Sequence, residues 1–224
     1  FNWDVLKDAL ESLKNQSGCD FGMHVIPYCH KRGDKIMAYN YQGYWKDVGT
    51  LSAYWEANME LIDIIPEFNL YEEFWRIYTK NTVLPPQYFS ENAKVSGCIV
   101  GEGTEIYGEI YNSVIGSGVT VEEGAFITNS IIMNGTVVKA GARIEKAIIA
   151  EDSEIGENTE LGAFEEAPNK FKPNIYCDGL VTIGEGSVIP ANVKIGKNVA
   201  IVGKTTAEDY PDGILASGES IIRQ

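Results

Sequence analysis

The sequence predicts a mainly β protein, a parallel β-helix of hexapeptide repeats preceded by a shorter segment patterned for helix and strand. Three observations carry this. Aliphatic residues recur at a six-residue step, without interruption through Ile183, Ile189, Ile195 and Ile201. The second half also holds a 17-residue echo in the segments from Ser113, Ser130 and Ala147: Ile115 falls over Ile132 and Ile149, Val121 over Val138 and Ile155, Ile127 over Ile144 and Leu161. Finally, the pattern changes near residue 85, at Leu84-Pro85-Pro86. No amphipathic helix has a six-residue period, and no hairpin holds it for so long; a fixed aliphatic period marks a stacked repeat.

Taken in order, Asn2 to Leu13 places Val5, Leu6, Leu10 and Leu13 on one face and predicts an amphipathic helix. His24, Cys29 and His30 leave open a metal site or three unrelated side chains, because no second ligand pair accompanies them. Ile36 to Tyr41 reads as a strand. Thr50 is the N-cap expected of a second helix, Leu51 to Ile65, stopped by Pro66. Asn69 to Pro86 is aromatic and irregular, a linker expected to pack its Phe74, Trp75 and Tyr78 against something.

In the repeats, each six-step aliphatic residue is expected to point inward. The residue two places earlier is small or β-branched (Val119, Ala125, Thr136, Ala142, Ser153, Thr159, Ser187, Val193, Val199), which suits a tight corner between β faces. Glycine follows at Gly116, Gly156, Gly184 and Gly196, where a positive φ is expected. The coil before Val114, with Val100, Ile106 and Ile110, is two residues short, as befits the end of a stack. Ala163 to Leu180 break the period and read as an extruded loop.

The 224 residues carry a net charge of −14, with a sequence pI of about 4.6, which disfavours nucleic acid or an anionic membrane as partner. No apolar stretch approaches membrane length and no signal peptide opens the sequence. The 4 cysteines (Cys19, Cys29, Cys98, Cys177) are widely spaced, so reduced thiols and a cytoplasmic location are expected.

Chemistry enters at Gly43-Tyr44-Trp45-Lys46-Asp47-Val48-Gly49-Thr50, followed by Tyr54-Trp55-Glu56-Ala57-Asn58. It reads as a turn carrying an acid ahead of a capped helix. A carboxylate there lies near a helix N-terminus, where phosphates and hard cations are held, or it is a solvated turn acid. The octet, its Trp-Glu-Ala-Asn continuation and the downstream repeats closely resemble the bacterial glucose-1-phosphate adenylyltransferase family, over essentially the whole sequence. Asp20-Phe21-Gly22 with Ile26-Pro27 matches a further family segment, although His24 stands where an acid or amide is more usual.

The resemblance implies a left-handed β-helix behind the C-terminal remnant of an α/β nucleotidyltransferase domain: residues 1–68 the remnant, 69–92 a linker, 93–224 the β-helix. It implies transfer of an adenylyl group from ATP to glucose 1-phosphate for glycogen synthesis, Mg²⁺ as cofactor, and a homotetramer regulated at the junction of its domains. Asp47 resembles one of two carboxylates holding the catalytic Mg²⁺. Asp20 and Phe21 resemble residues lining the glucose 1-phosphate pocket, and Trp45 a tryptophan of the pocket wall, with a core aromatic under the turn as its other reading. The family's phosphate loop, second metal-binding aspartate and sugar-phosphate lysine are not among these residues. The sequence is therefore expected to be a truncated piece, inactive alone. Lys170, Lys172 and Arg223 are cations that could meet an anion or stay solvated.

Two other readings are weighed. Hexapeptide acyltransferases share the β-helix but place a histidine base between coils, and His24 and His30 both precede the repeats. A non-catalytic regulatory or scaffolding subunit of the same synthase would have no reason to keep Asp47.

Overall fold

The computed structural model describes residues 1–16, 18–63, 66–76, 78 and 83–223, in two compact units, Phe1–Gly43 and Tyr44–Gln224. In the first unit, α1 (Trp3–Leu13) is the expected amphipathic helix. Its Ala9 and Leu13 are buried with Val25 and Cys29, and Val5, Leu6, Leu10 and Tyr28 pack around them. A single π-helical turn, Phe21–Val25, leads into α2 (Ile26–Arg32), which ends at Gly33 in the left-handed conformation (φ 86°). Cys29 is thus a core residue of this small unit. Ile36 to Tyr41 is not a strand: it forms no ladder with any described residue, and Met37 and Tyr39 are 77% and 87% exposed. β patterning without a hydrogen-bonding neighbour does not make a sheet.

The second unit opens with α3 (Leu51–Glu60), capped as expected by Thr50, whose Oγ1 accepts the Ala53 N–H at 3.1 Å. The predicted end at Ile65 lies outside the described residues; the described helix closes at Glu60. Leu61 takes the C-cap position, its N–H donating to the Asn58 carbonyl (3.2 Å), and the Ile62 N–H donates to that of Met59 (3.1 Å). The aromatic stretch behind it is not packed as expected among the described residues, with Phe74, Trp75 and Tyr78 at 98%, 85% and 89% exposed.

From Tyr88 onward the chain winds into the hexapeptide β-helix. Its 6-, 7- and 7-stranded faces are parallel throughout, consistent with the left-handed column that the resemblance implies. The echo read from the sequence is the observed register. Ile115, Ile132, Ile149, Ile183, Ile201 and Ile221 form one inward column. Val121, Val138, Ile155 and Ile189 form a second, and Ile110, Ile127, Ile144, Leu161, Ile195 and Leu215 a third. Most of these side chains are fully buried in one continuous core. Each contributes about 1.5–3 kcal/mol of transfer free energy.

The small residues at the corners are also buried, and their hydroxyls close the gaps between coils. Thr136 Oγ1 donates to the Ala150 carbonyl (3.1 Å), Thr159 Oγ1 to that of Pro190 (2.8 Å) and Ser153 Oγ to that of Gly184 (3.1 Å).

The glycines after the aliphatic residues have a different reason from the expected one. Gly116, Gly156, Gly184 and Gly196 are absent from the positive-φ set, which holds Gly118, Gly124, Gly135, Gly141 and Gly186 instead. What excludes a side chain is the neighbouring coil: a Cβ on Gly156 would stand 2.5 Å from the Ala191 nitrogen, and one on Gly196 would stand 2.4 Å from that of Ser217. The short coil is not the end of the stack, since the strands Tyr88–Phe89, Lys94–Ser96 and Ile99–Val100 form a coil before it; it is tightened the same way at Gly108, where a Cβ would meet the Ala125 carbonyl oxygen at 2.4 Å.

The period breaks where expected, between the strands Glu160–Leu161 and Val181–Ile183. The extruded loop is knotted to the column by two buried amides. Asn169 Nδ2 donates to the Asn198 carbonyl (2.7 Å). Asn198 Nδ2 donates to Glu166 Oε1 (3.0 Å) and the Ala167 carbonyl (2.9 Å), while its Oδ1 accepts the Gly179 N–H (2.7 Å).

Candidate active site: the acid turn and its helix

Exposure alternates along the approach to α3. Tyr44 and Lys46 are half-buried, whereas Trp45 and Asp47 are exposed, Trp45 to 77%. Tyr44 Oη donates to Glu60 Oε2 (3.2 Å), and Lys46 Nζ pairs with Glu60 and with Glu56 (3.4 Å). Both half-buried side chains are therefore turned onto the far end of α3, which leaves Trp45 and Asp47 to face away. The Lys46 ammonium beside Glu60 holds that carboxyl below its usual range, and Glu60 raises Lys46 in return. Trp45 is not a core aromatic beneath the turn; a residue on the exposed phase of this alternation has no core to enter.

Asp47 sits three residues ahead of the Thr50 cap. Its Oδ1 accepts the Gly49 N–H at 3.1 Å, which fixes the carboxylate in the turn, and Oδ2 takes no hydrogen bond among the described residues. A carboxylate with one oxygen tied and one open at a helix start has the donor chemistry for a hard cation such as Mg²⁺, which is held by one or two carboxylates plus phosphate and water oxygens. The described residues hold no group of three His, Cys, Asp or Glu side chains able to hold a metal by themselves.

Asp20 and Phe21 belong to the first unit. Asp20 caps the π-helical turn: its Oδ1 accepts the Met23 N–H (2.6 Å), and its own N–H donates to His24 Nδ1 (3.0 Å). His24 is thereby engaged locally rather than joined to Cys29 and His30. Phe21 is 47% exposed, edge-on to Phe1 with ring centroids 5.7 Å apart. The three cations left open in the sequence have partners: Lys170 pairs with Glu219, Arg223 with Asp209, and Lys172 lies 5.1 Å over the Phe171 ring.

Sequence reasoning did not single out the residues that seat α3. Leu51, Tyr54, Trp55 and Met59 pack on Ile131 and Ile148, which face outward from one β-helix sheet, and on Leu180 at the end of the extruded loop. The four lie at i, i+3, i+4 and i+8 on one side of the helix, a stripe that the Thr50 cap did not announce and whose target on the column lies far along the chain.

The family model described as "Nucleotidyl transferase" matches residues 1–64, and the model described as "GlmU-like, C-terminal hexapeptide" matches residues 85–183. Among similar curated proteins is the glucose-1-phosphate adenylyltransferase of Lachnospira eligens, 62% identical over 223 residues, or 100% of this chain and 53% of that protein. Those of Acetivibrio thermocellus and Thermotoga maritima are each 44% identical over 225 residues, covering 100% and 99% of this chain and 53% of each protein. The chain thus spans about half the length of the curated relatives it matches.

A nucleotidyltransferase segment running into a hexapeptide-repeat β-helix defines the class. Within that class, the chain belongs to the glucose-1-phosphate adenylyltransferase family.

Proposed function

We propose that the protein to which these residues belong transfers an adenylyl group from ATP to glucose 1-phosphate, giving ADP-glucose and pyrophosphate for glycogen synthesis. The observation that carries this reading is Asp47: an exposed carboxylate, held by the Gly49 N–H at the start of a capped helix, inside the octet that resembles the family's. In this reading residues 1–68 complete a nucleotidyltransferase domain, 69–92 link it to the β-helix of 93–224, and the protein is a cytoplasmic homotetramer.

Mg²⁺, when bound, neutralises charge on the phosphate oxygens during attack at the α-phosphorus. Asp47 offers it one carboxylate oxygen. Trp45, turned out beside Asp47, supplies an apolar wall, and Phe21 presents a ring face to the sugar. Asp20 keeps Oδ2 for a sugar hydroxyl while Oδ1 caps its turn.

The test is pyrophosphate release by the full-length protein with ATP, glucose 1-phosphate and Mg²⁺, for the native sequence and for Asp47→Asn. The native protein is expected to turn over. The variant is expected to lose orders of magnitude in kcat with an unchanged melting temperature, because among the described residues Asp47 makes only one short-range hydrogen bond. Near-native turnover in the variant would remove the metal role, and an inactive native protein would remove the activity.

A further inference from the structure

Asp47 does not hold its own position. The segment that carries it is tied, through Tyr44 and Lys46, to Glu60 and Glu56 on α3. Yet α3 has only 10 residues and none of them is buried. A helix that short is marginal alone in water. The place of the acid is therefore inherited from whatever seats α3.

What seats it is the β-helix, through three polar contacts beside the apolar stripe. The Trp55 indole N–H donates to the Asn129 carbonyl at 2.8 Å. The Lys146 ammonium lies 5.2 Å over the Trp55 ring. In the first turn of α3, Ser52 Oγ donates to Asp178 Oδ2, a residue of the extruded loop.

The corner that provides two of these contacts departs from its own repeat. Asn112, Asn129 and Lys146 occupy equivalent left-handed positions on successive coils, with φ of 45°, 50° and 51°. Asparagine tolerates that conformation well and lysine does not. Asn112 and Asn129 are linked side chain to side chain, whereas Lys146, the third of the column, reaches Trp55 instead. A residue poorly suited to its corner, aimed at the helix, is what a seat for α3 requires. Asp178 is likewise held in a left-handed conformation (φ 59°), next to Gly179, whose N–H is anchored on the buried Asn198. The loop that offers the Ser52 acceptor is thus anchored on the column at the very next residue.

We propose that Ser52, Trp55, Lys146 and Asp178 are positioning residues for Asp47, bolting α3 to the β-helix so that the column and its extruded loop set the geometry of the metal-binding turn. The proposal rests on the reading of Asp47 as a metal carboxylate. Its reach is large, because a displacement of about 1 Å at a reacting centre can cost on the order of 100-fold in rate.

The experiment uses the full-length protein with Ser52→Ala, Ser52→Thr, Asp178→Ala and Trp55→Phe. It reads amide hydrogen exchange in peptides covering 44–60, with β-helix peptides as the folding control, together with kcat, the KM for glucose 1-phosphate and the Mg²⁺ concentration giving half-maximal rate. Ser52→Ala, Asp178→Ala and Trp55→Phe are expected to speed exchange across 44–60 several-fold, with the coils unchanged. The same variants should raise the Mg²⁺ requirement several-fold and leave the KM for glucose 1-phosphate alone, and Ser52→Thr should restore both. Native exchange across 44–60 in these variants, or faster exchange with an unmoved Mg²⁺ requirement, would overturn the proposal. Should the native protein release no pyrophosphate, the functional reading fails instead, while the exchange arm still decides whether the bolt exists.

Discussion

Gly156 and Gly186 show two different demands on one residue type. A Cβ at Gly156 would lie 2.5 Å from the Ala191 nitrogen, backbone that belongs to the next coil and cannot move aside. At Gly186 (φ 63°) nothing lies within 4 Å, and only the backbone conformation is unusual. Gly156→Ala is therefore expected to cost about 1–3 kcal/mol or more by overpacking. Gly186→Asn should be nearly neutral, because asparagine already occupies left-handed corners at Asn158, Asn192 and Asn198. Denaturant midpoints of the two variants check the pair: equal losses would refute the distinction. From the sequence, glycine after each aliphatic residue read as a request for positive φ. The actual request was for room, which depends on a coil further along the chain and is invisible to local pattern.

At the scale of the element, α3 is held at both ends by carboxylates whose charged forms the fold favours. The Lys46 ammonium lowers Glu60 from its ordinary 4.5, and the Ser52 hydroxyl, followed by the Cys177 thiol, lowers Asp178 from its ordinary 3.8. A carboxyl depressed in the folded state stabilises it above the unfolded pKa, and that contribution fades as pH falls through the folded value. The seat of α3 is thus expected to be intact above about pH 5 and to loosen progressively below about pH 4. The isoleucine columns, which carry no acid, should persist. Protection factors of α3 and coil amides, measured from pH 6 down to pH 3, test this; simultaneous loss in both would contradict it. The helix itself was plain in the sequence through Thr50 as its N-cap. Its bolts were not, since Ser52 and Asp178 lie 126 positions apart and Trp55 and Asn129 lie 74 apart.

For the whole molecule, the β-helix is a core one side chain thick per face, so a charge placed in it has nowhere to go. Ile132, 1% exposed in the middle of its column, is the sharpest test. Ile132→Asp is expected to unfold the column, since an unpaired buried carboxylate costs several kcal/mol and domain stability is only about 5–15 kcal/mol. Native circular dichroism in that variant would contradict the inward assignment. The sequence by itself determined the coils, their register, the extruded loop and the acid turn, because a repeat writes its nearest-neighbour contacts at a fixed period and a cap lies within one helical turn. The tertiary structure alone decided that the predicted strand at Ile36 to Tyr41 stays unpaired among the described residues and that Trp45 faces out rather than in. It alone decided, too, that Lys146 leaves its asparagine column to hold α3. Each of these outcomes turns on a partner, or the lack of one, that is remote in the chain, and period and propensity carry no information about such partners.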